Sequence, residues 1–337
     1  MSRRSYSSSS NTWKFRTHLL DLHEIRSRVA SSLGRNDLAS CALASRDWND
    51  SFTSLLYNYV ILSENGPSME SIEKYKHLIQ FLKIENSAFV KLSSTFSEDE
   101  VISIIMANST IITLDLNENI IKPEGVQALS EALKTNSTLA TLDLSCNLIR
   151  DDGAEALSET LKTNSTLATL DLSCNLIQPN GVQALSDALK INRALTTLDL
   201  SHNSIGPDGA QALSEALKIN SILTTLDLSN NLIGCNGTQA LSDMLKTNET
   251  LTTLVLCGSL IGDDGVQALS DALKANWTLT TLNLRKNMIG ANGAQALFEV
   301  LKANLTLTTL DLYRNPFGDE SSGDKPNVSD PICNIKF

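Results

Sequence analysis

Eight pairs of leucines recur along the chain at a constant interval of 28 residues, and this period restricts the fold more than any other feature. A fixed period of this length is typical of a solenoid, in which each repeat packs only against its neighbours. One unit cannot bury its apolar face alone, so we expect the stacked repeats to share one continuous core. The pairs are Leu114/Leu116, Leu142/Leu144, Leu170/Leu172, Leu198/Leu200, Leu226/Leu228, Leu254/Leu256, Leu282/Leu284 and Leu310/Leu312.

Each repeat is predicted to contain one strand followed by one helix. The copy at 197–220, TLDLSHNSIGPDGAQALSEALKIN, begins with alternating apolar residues and continues with apolar residues at helical spacing. We expect Asn203 and its counterparts to hydrogen-bond the backbone of the turn that leaves the strand. We expect the Asp or Asn before the helix glycine, as at Asp208, to be the helix N-cap. The asparagine that closes each unit, such as Asn136, should end the helix in the left-handed conformation.

The consensus LxxLxLxxNxIxxxGxxxLxxxLxxN resembles the long, ribonuclease-inhibitor-type leucine-rich repeat over residues 97–318. The resemblance implies a curved α/β solenoid, a horseshoe with a parallel sheet on the concave side and helices on the convex side. We place the 28-residue repeats at 109–318 and a degenerate N-terminal repeat or cap at 64–108. In that cap, KHLIQFLKIE is the candidate strand and 97–108 the candidate helix. Residues 319–337 should form an irregular C-terminal tail, which would shield the edge of the last strand or mark a lost helix.

The N-terminal part differs in character from the repeats. Residues 1–17 are predicted to be a disordered Ser-rich tail, and 18–63 a small helical module. The stretch LHEI…NDLASCALASRDWND resembles the F-box, which docks a protein onto the Skp-type adaptor of a cullin-RING ubiquitin ligase; His23 stands where that family has proline. The alternative is a helical cap for the solenoid that binds no adaptor. The residues expected to dock or pack this module are Leu22, Ile25, Leu38 and Trp48.

Charge and composition exclude several classes of function. The formal net charge is −11, from 38 acidic and 27 basic residues, so we expect no nucleic-acid binding by the acidic repeats. No apolar run is long enough for a signal peptide or a membrane span, so we expect no membrane association and a cytoplasmic location, with the nucleus as alternative. The 6 cysteines and 4 histidines show no metal-ligand spacing, and we expect no metal site and no cofactor.

One polar column should face the solvent side of the sheet, because strand side chains alternate between faces. Like charges one strand apart repel, and we find no contribution to stability that explains such a column. The aspartates are then either common residues of this repeat type or an acidic surface that recruits a basic protein; a linear column would be a poor calcium site. The column is Asp115, Asp143, Asp171, Asp199, Asp227, Val255, Asn283 and Asp311.

The repeat TLVLCGSLIGDDG interrupts this column. Val255 replaces the aspartate, Cys257 replaces a serine, and the usual asparagine is Ser259. The change is explained by sequence drift or by an apolar hot spot beside an acidic strip, where Trp277 would lie near the same end.

Three functions are consistent with this sequence. The first is a substrate-recognition subunit of an SCF-type ubiquitin ligase, with the target on the concave acidic face and the Skp-type adaptor on the N-terminal module. The second is a ligase-independent, ribonuclease-inhibitor-like binding protein for a basic partner. The third is a GTPase activator, for which we find no catalytic residue. We find no nucleotide-binding loop or nucleophile motif either, so we expect no enzymatic activity.

Overall fold

The computed structural model describes residues 59–62, 81–84, 102, 109–317 and 333–336. The chain divides into two units, Met1–Leu56 and Tyr57–Phe337, and every described residue belongs to the second. The predicted tail at 1–17 and the residues Leu22, Ile25, Leu38 and Trp48 lie outside the described residues.

The described strands form one sheet of eleven parallel strands, each hydrogen-bonded to the strands before and after it in the sequence. Each Leu–Leu register pair between successive repeats is 28 residues apart, for example Leu170 with Leu198. The predicted α/β solenoid is therefore confirmed. The strands are β1 (Tyr59–Leu62), β2 (Phe81–Ile84), β3 (Thr113–Asp115), β4 (Thr141–Asp143), β5 (Thr169–Asp171), β6 (Thr197–Asp199), β7 (Thr225–Asp227), β8 (Thr253–Val255), β9 (Thr281–Asn283), β10 (Thr309–Asp311) and β11 (Asn334–Lys336).

One helix follows each of the strands β3 to β9, and neighbouring helices pack against each other in the same order. Packed helices need about 8–10 Å between their axes, whereas parallel strands lie about 4.8 Å apart. The repeats therefore curve with the sheet on the inner, concave side. The helices are α1 (Pro123–Leu133), α2 (Arg150–Leu161), α3 (Pro179–Leu189), α4 (Gly206–Leu217), α5 (Gly234–Leu245), α6 (Asp263–Leu273) and α7 (Ala291–Leu301).

The core lies between the sheet and the helices and consists mainly of leucine. In a typical repeat, Leu198 and Leu200 of the strand segment are buried together with Leu213 and Leu217 of α4. Each fully buried leucine contributes about 2 kcal/mol relative to an exposed one. Because every repeat contributes the same set, the core continues without a break through the described repeats.

A ladder of buried asparagines connects the repeats at the exits of the strands, as predicted. The Asn203 Oδ1 atom accepts hydrogen bonds from the backbone N–H groups of Asn175 at 3.0 Å and Ile177 at 2.9 Å, both in the preceding repeat. Its Nδ2 atom donates to the carbonyl oxygens of Leu172 and Leu200, each at 3.0 Å. One side chain thus satisfies backbone groups in two repeats that no strand partner can reach.

The ladder changes at Ser259. The Ser259 Oγ atom donates to the Leu228 carbonyl at 3.2 Å, but it is too short to reach the backbone N–H groups of Asn231 and Ile233. These are the two groups that an asparagine would bond here, and neither has another acceptor among the described residues. The ladder is therefore least complete between this repeat and the one before it.

The asparagines that follow the helices act differently from the prediction. Asn164 is not left-handed; its Nδ2 atom donates to the Leu133 carbonyl at the end of the preceding helix, at 2.9 Å. Its Oδ1 atom accepts from the backbone N–H groups of Thr166 and Leu167. The predicted left-handed helix end is therefore wrong. The asparagine side chain instead caps the helix of the previous repeat and bonds the backbone that follows its own helix.

The prediction of Asp or Asn N-caps before the helix glycines is also wrong. The N-cap of α4 is Ile205, which makes no side-chain cap hydrogen bond, and Asp208 lies inside the first turn. An acid there still interacts favourably with the helix dipole. Two helices are capped from the neighbouring repeat instead: Asp151 Oδ1 accepts from Gln178 N–H at 2.7 Å, and Asp263 Oδ1 from Gly290 N–H at 2.6 Å.

Both ends of the sheet extend beyond the regular repeats. Strand β2 lies within the stretch KHLIQFLKIE, and of the helix predicted at 97–108 only Ile102 is described, as helical and buried. Strand β1 lies at the end of the segment assigned to the N-terminal module, yet it pairs with β2. The tail predicted to be irregular contains β11, which covers the open edge of β10.

The ladder yields a first prediction. Asn203→Ala should lower the free energy of unfolding by about 3 kcal/mol or more, because several buried backbone groups lose their partners at about 1–3 kcal/mol each. Ser259→Asn should raise it by about 1 kcal/mol, because it supplies the missing acceptor. Urea unfolding followed by circular dichroism measures both. A neutral Asn203→Ala variant would contradict the role of the ladder.

Candidate functional site

The sheet face is the side of the sheet that points away from the helices, and the predicted polar column lies on it. Strand pairing places Asp115, Asp143, Asp171, Asp199 and Asp227 in register, each opposite the next. The column continues through Val255, Asn283 and Asp311. Neighbouring members are thus about 4.8 Å apart at the backbone. All are half-buried, while the leucines between them are fully buried.

Each aspartate in the column accepts a hydrogen bond from the backbone N–H group two residues further on. The Oδ1 atoms of Asp171, Asp199 and Asp227 lie 2.8 Å from the N–H nitrogens of the serines that follow them. Asp115, Asp143 and Asp311 make the same bond at 3.1, 2.9 and 3.0 Å. Aspartate is known to close a turn in this way. The expectation that stability does not explain the column is therefore wrong for the side-chain oxygen, although the hydrogen bond does not require the charge. This known behaviour of aspartate was the signal in the sequence that pointed to the bond.

The environment in the middle of the column disfavours the ionised form of the aspartates there. Burial raises the pKa of Asp171, Asp199 and Asp227, and it outweighs the hydrogen bonds from the following serines, which lower the pKa. Repulsion from neighbouring aspartates adds to the rise but is smaller than burial. The sequence predicts the repulsion between neighbouring aspartates, but their half-buried position on the strands is the larger cause of the raised pKa values.

The repeat that interrupts the column has different contacts. Val255 has no oxygen to accept the N–H group of Cys257, whereas Asn283 in the next repeat restores the bond to Arg285 at 3.0 Å. Gly258 adopts a left-handed backbone with a φ of 63°. A Cβ atom there would approach the Asn230 side chain to 2.3 Å, so the asparagine lies over this glycine. The sheet face is uncharged at this repeat.

Trp277 does not lie beside Val255 as predicted. It is an exposed residue that lines a cleft of about 570 Å³ between α6 and α7, together with Leu273 and Ala303. The cleft belongs to the helix layer, on the opposite side of the core from the sheet face. Trp277 and Val255 therefore cannot form one hot spot.

Cys146 and Cys174 lie side by side at the exits of β4 and β5. Both are free thiols, and their side chains are within hydrogen-bonding distance of each other. Burial, followed by the neighbouring Cys174 sulfur, raises the pKa of Cys146 to about 11. A thiol with so high a pKa is a weak nucleophile at neutral pH.

Metal ligands are not clustered in the described part of the chain. No three His, Cys, Asp or Glu side chains are grouped there in a way that would hold a metal ion. None of the described helices is long and apolar enough to cross a membrane.

Comparison with known sequences agrees with this geometry. The profile of the family described as "Leucine Rich repeat" matches residues 107–130, 135–158, 163–186, 192–214, 247–270, 275–298 and 303–321. These residues are leucine-rich repeats. The profile leaves 215–246 unmatched, but the structure places β7 and α5 there in the same register, so the repeat array continues through this gap. Arrays of this kind are scaffolds for protein–protein interaction. No curated protein sequence matches the chain.

Solved structures share the fold at low sequence identity. A chain in the crystal structure of the Rad7 and Elc1 complex in yeast superposes with a TM-score of 0.57 at 17% identity, covering 89% of this chain and 70% of that one. The structure described as Leiomodin-1 Actin-Binding Site 2 gives a TM-score of 0.37 at 21% identity, covering 53% and 89%. The first comparison supports the solenoid fold alone.

The turn-closing bond yields a second prediction. Asp199→Asn and Asp199→Ala both remove the charge, but only asparagine keeps an oxygen for the Ser201 N–H group, as Asn283 does for Arg285. The alanine variant should therefore be less stable than the asparagine variant by about 1–3 kcal/mol in urea unfolding. Equal stabilities would show that this bond contributes nothing.

The raised pKa of Asp171 yields a third prediction, about pH. Its folded-state pKa lies above its ordinary value of 3.8, so the folded protein takes up the proton first as the pH falls. The contribution of this residue to stability is then lowest at pH 7 and rises with acidification. Relative to the Asp171→Asn variant, the parent should gain stability between pH 7 and pH 4.

Asp187 on α3 provides the matched control. A hydrogen bond from Lys190 lowers the pKa of Asp187 below 3.8, so the stability that this residue contributes is present at neutral pH and begins to be lost at about pH 5. The stability difference between the parent and an Asp187→Asn variant should stay level from pH 7 to about pH 5 and then decrease, which is opposite in direction to Asp171. A constant difference for Asp171 would contradict the prediction.

Proposed function

We propose that this chain is a non-enzymatic binding protein whose sheet face holds a basic segment of another protein. The observation that supports this most is the charge of the face over its first five repeats, β3 to β7. There it presents five aspartates and Glu118 but no lysine or arginine, and its one histidine is His202. Asp143, Asp171, Asp199 and Asp227 make no ion pair with any described residue.

The hydrogen-bond geometry leaves these carboxylates available to a partner. Only the Oδ1 atoms of Asp171, Asp199 and Asp227 accept backbone hydrogen bonds, and the Oδ2 atoms accept none from the backbone of the described residues. A bound lysine or arginine would offset both the burial and the mutual repulsion that raise their pKa values. The hydroxyl groups of the adjacent threonines supply further polar contacts.

We extend the proposal to a ubiquitin ligase on the basis of the N-terminal sequence. The F-box-like pattern, with Leu22, Ile25, Leu38 and Trp48, supports attachment to a Skp-type adaptor. The chain would then be the substrate-recognition subunit of an SCF-type ligase and would act by bringing its target close to the ubiquitin-transferring subunits. This part of the proposal depends on the sequence pattern alone.

The second candidate is a ligase-independent binding protein of the ribonuclease-inhibitor type. The position of the acidic column supports it, because all of its aspartates lie on strands of the described repeats. The two candidates share the target site and differ only in whether the adaptor binds.

Affinity capture from native extract, read by mass spectrometry, gives the fourth prediction. The parent should retain a basic protein, and retention should weaken as salt is added, because exposed ion pairs are screened. Asp171→Asn with Asp199→Asn should reduce retention. Asp187→Asn with Asp243→Asn removes the same charge from the helix layer and should not, because those acids already pair with Lys190 and Lys246. Equal losses for the two double variants would refute the site.

The same capture tests the adaptor. Leu22→Asp with Ile25→Asp should abolish recovery of the Skp-type protein and leave the basic target bound. If the parent recovers no adaptor but keeps its target, the ligase-independent candidate is correct.

A further inference from the structure

The charge of the sheet face reverses along the solenoid. The first five repeats carry acids and no lysine or arginine on this face, and the sixth, with Val255 and Gly258, is uncharged. Among the residues that the structure describes, the sheet face at the final strands carries four cations and one acid, Asp311. The cations are Arg285, Lys286, Arg314 and Lys336.

These cations differ from the lysines of the helix layer. One lysine follows the end of each helix, and each forms an ion pair with an acid three residues earlier, such as Lys274 with Asp271 at 2.7 Å and Lys218 with Glu215 at 3.0 Å. The helix layer thus neutralises its own terminal lysines. The four cations of the sheet face form no ion pair with any described residue.

Tyr313 holds two of the cations in place. The Arg285 guanidinium carbon lies 4.8 Å from the centre of the Tyr313 ring, and that of Arg314 lies 5.3 Å from it. Stacking of this kind leaves the N–H edges of a guanidinium available to a carboxylate. The Arg285 Nε atom is buried without an acceptor among the described residues. The two arginines are therefore held against one ring, and no described acid forms an ion pair with either of them.

We propose that Arg285, Lys286 and Arg314, arranged around Tyr313, bind acidic side chains of the same protein segment whose basic side chains occupy the aspartate column. This inference rests on the proposed function and adds the orientation in which the partner segment lies along the sheet face. The partner has separated charges, and the opposite fields at the two ends of the face orient it before contact.

The strand order sets the spacing of the two charge blocks. Asp171, in the middle of the acidic column, lies four strands before Arg285, which is roughly 19 Å at about 4.8 Å per strand. An extended chain covers this distance in about six residues. The partner segment should therefore carry a basic block and an acidic block, with the middle of the basic block at least about six residues from the acidic block, and a six-residue linker between the blocks is long enough.

Two fluorescent peptides test the inference on the full chain. The basic peptide is tetralysine followed by three Gly-Ser units, and the two-block peptide is the same sequence with tetraglutamate added at its end. The protein is acidic overall, so a non-specific effect of the glutamates would weaken binding. The inference instead predicts that they tighten it about tenfold at low salt, as several exposed ion pairs allow. Fluorescence anisotropy measures both affinities.

Matched variants locate the effect. The triple change Arg285→Gln, Lys286→Gln and Arg314→Gln should abolish the gain from the tetraglutamate block and leave binding of the basic peptide no weaker. Lys286→Gln alone keeps both arginines on the Tyr313 ring, so it should not destabilise the fold. It should reduce the increase in affinity that the tetraglutamate block produces. The control triple Lys246→Gln, Lys274→Gln and Lys302→Gln has the same net charge as the first and should keep the full gain.

The outcomes separate this inference from the proposed function. If the basic peptide binds but the tetraglutamate block adds nothing, or if the control triple loses the gain equally, the inference is wrong and the acidic site stands. If neither peptide binds the parent, both are wrong. A gain lost only with the sheet-face cations supports the inference.

Discussion

The structure depends above all on the in-register stacking of 28-residue repeats, which the asparagine ladder maintains. Asn203 and its counterparts each bond backbone groups in two successive repeats, so that equivalent atoms come into line along the solenoid. Any residue placed at one position of the unit is thereby repeated as a column. The leucine columns become the core, and the aspartate column becomes a charged surface.

The aspartate column shows how a structural requirement, repeated in register, produces a charged surface. Each turn after a strand needs an oxygen for one backbone N–H group, and aspartate supplies it at about the same distance in every repeat that has one. Asparagine does the same at Asn283 without charge. The choice of aspartate over asparagine adds repulsion and burial of charge, which stability alone does not favour. The charge is therefore the part of the column that the turn-closing hydrogen bond does not require, and it is the part that the proposed function uses.

Charged residues are paired on the helix layer but lie beside like charges on the sheet face. On the helix layer each terminal lysine has an acidic partner three residues away, a pairing that the helix geometry itself provides. On the sheet face, equivalent positions in successive strands lie beside one another, so a residue that is repeated in every unit lies next to identical residues. Like charges accumulate there until the sequence changes, as it does at Val255 and again at Arg285. The sheet face is consequently the side on which an external partner gains most from electrostatic complementarity.

The repeat, its strand and helix, the leucine core and the position of the aspartate column could all be predicted from the amino-acid sequence, because they follow from local spacing repeated many times. The turn-closing bond of each aspartate is also local, and the known behaviour of aspartate before a turn was sufficient to predict it. Other features depend on how the repeats stack: Asp151 and Asp263 cap the helices of the next repeat, the asparagine after each helix bonds the previous helix, and Trp277 lies on the helix layer. Stacking also brings Arg285 of one repeat to Tyr313 of the next. These contacts join residues about one repeat apart in the sequence, and their distances depend on how the repeats stack, which no single repeat specifies.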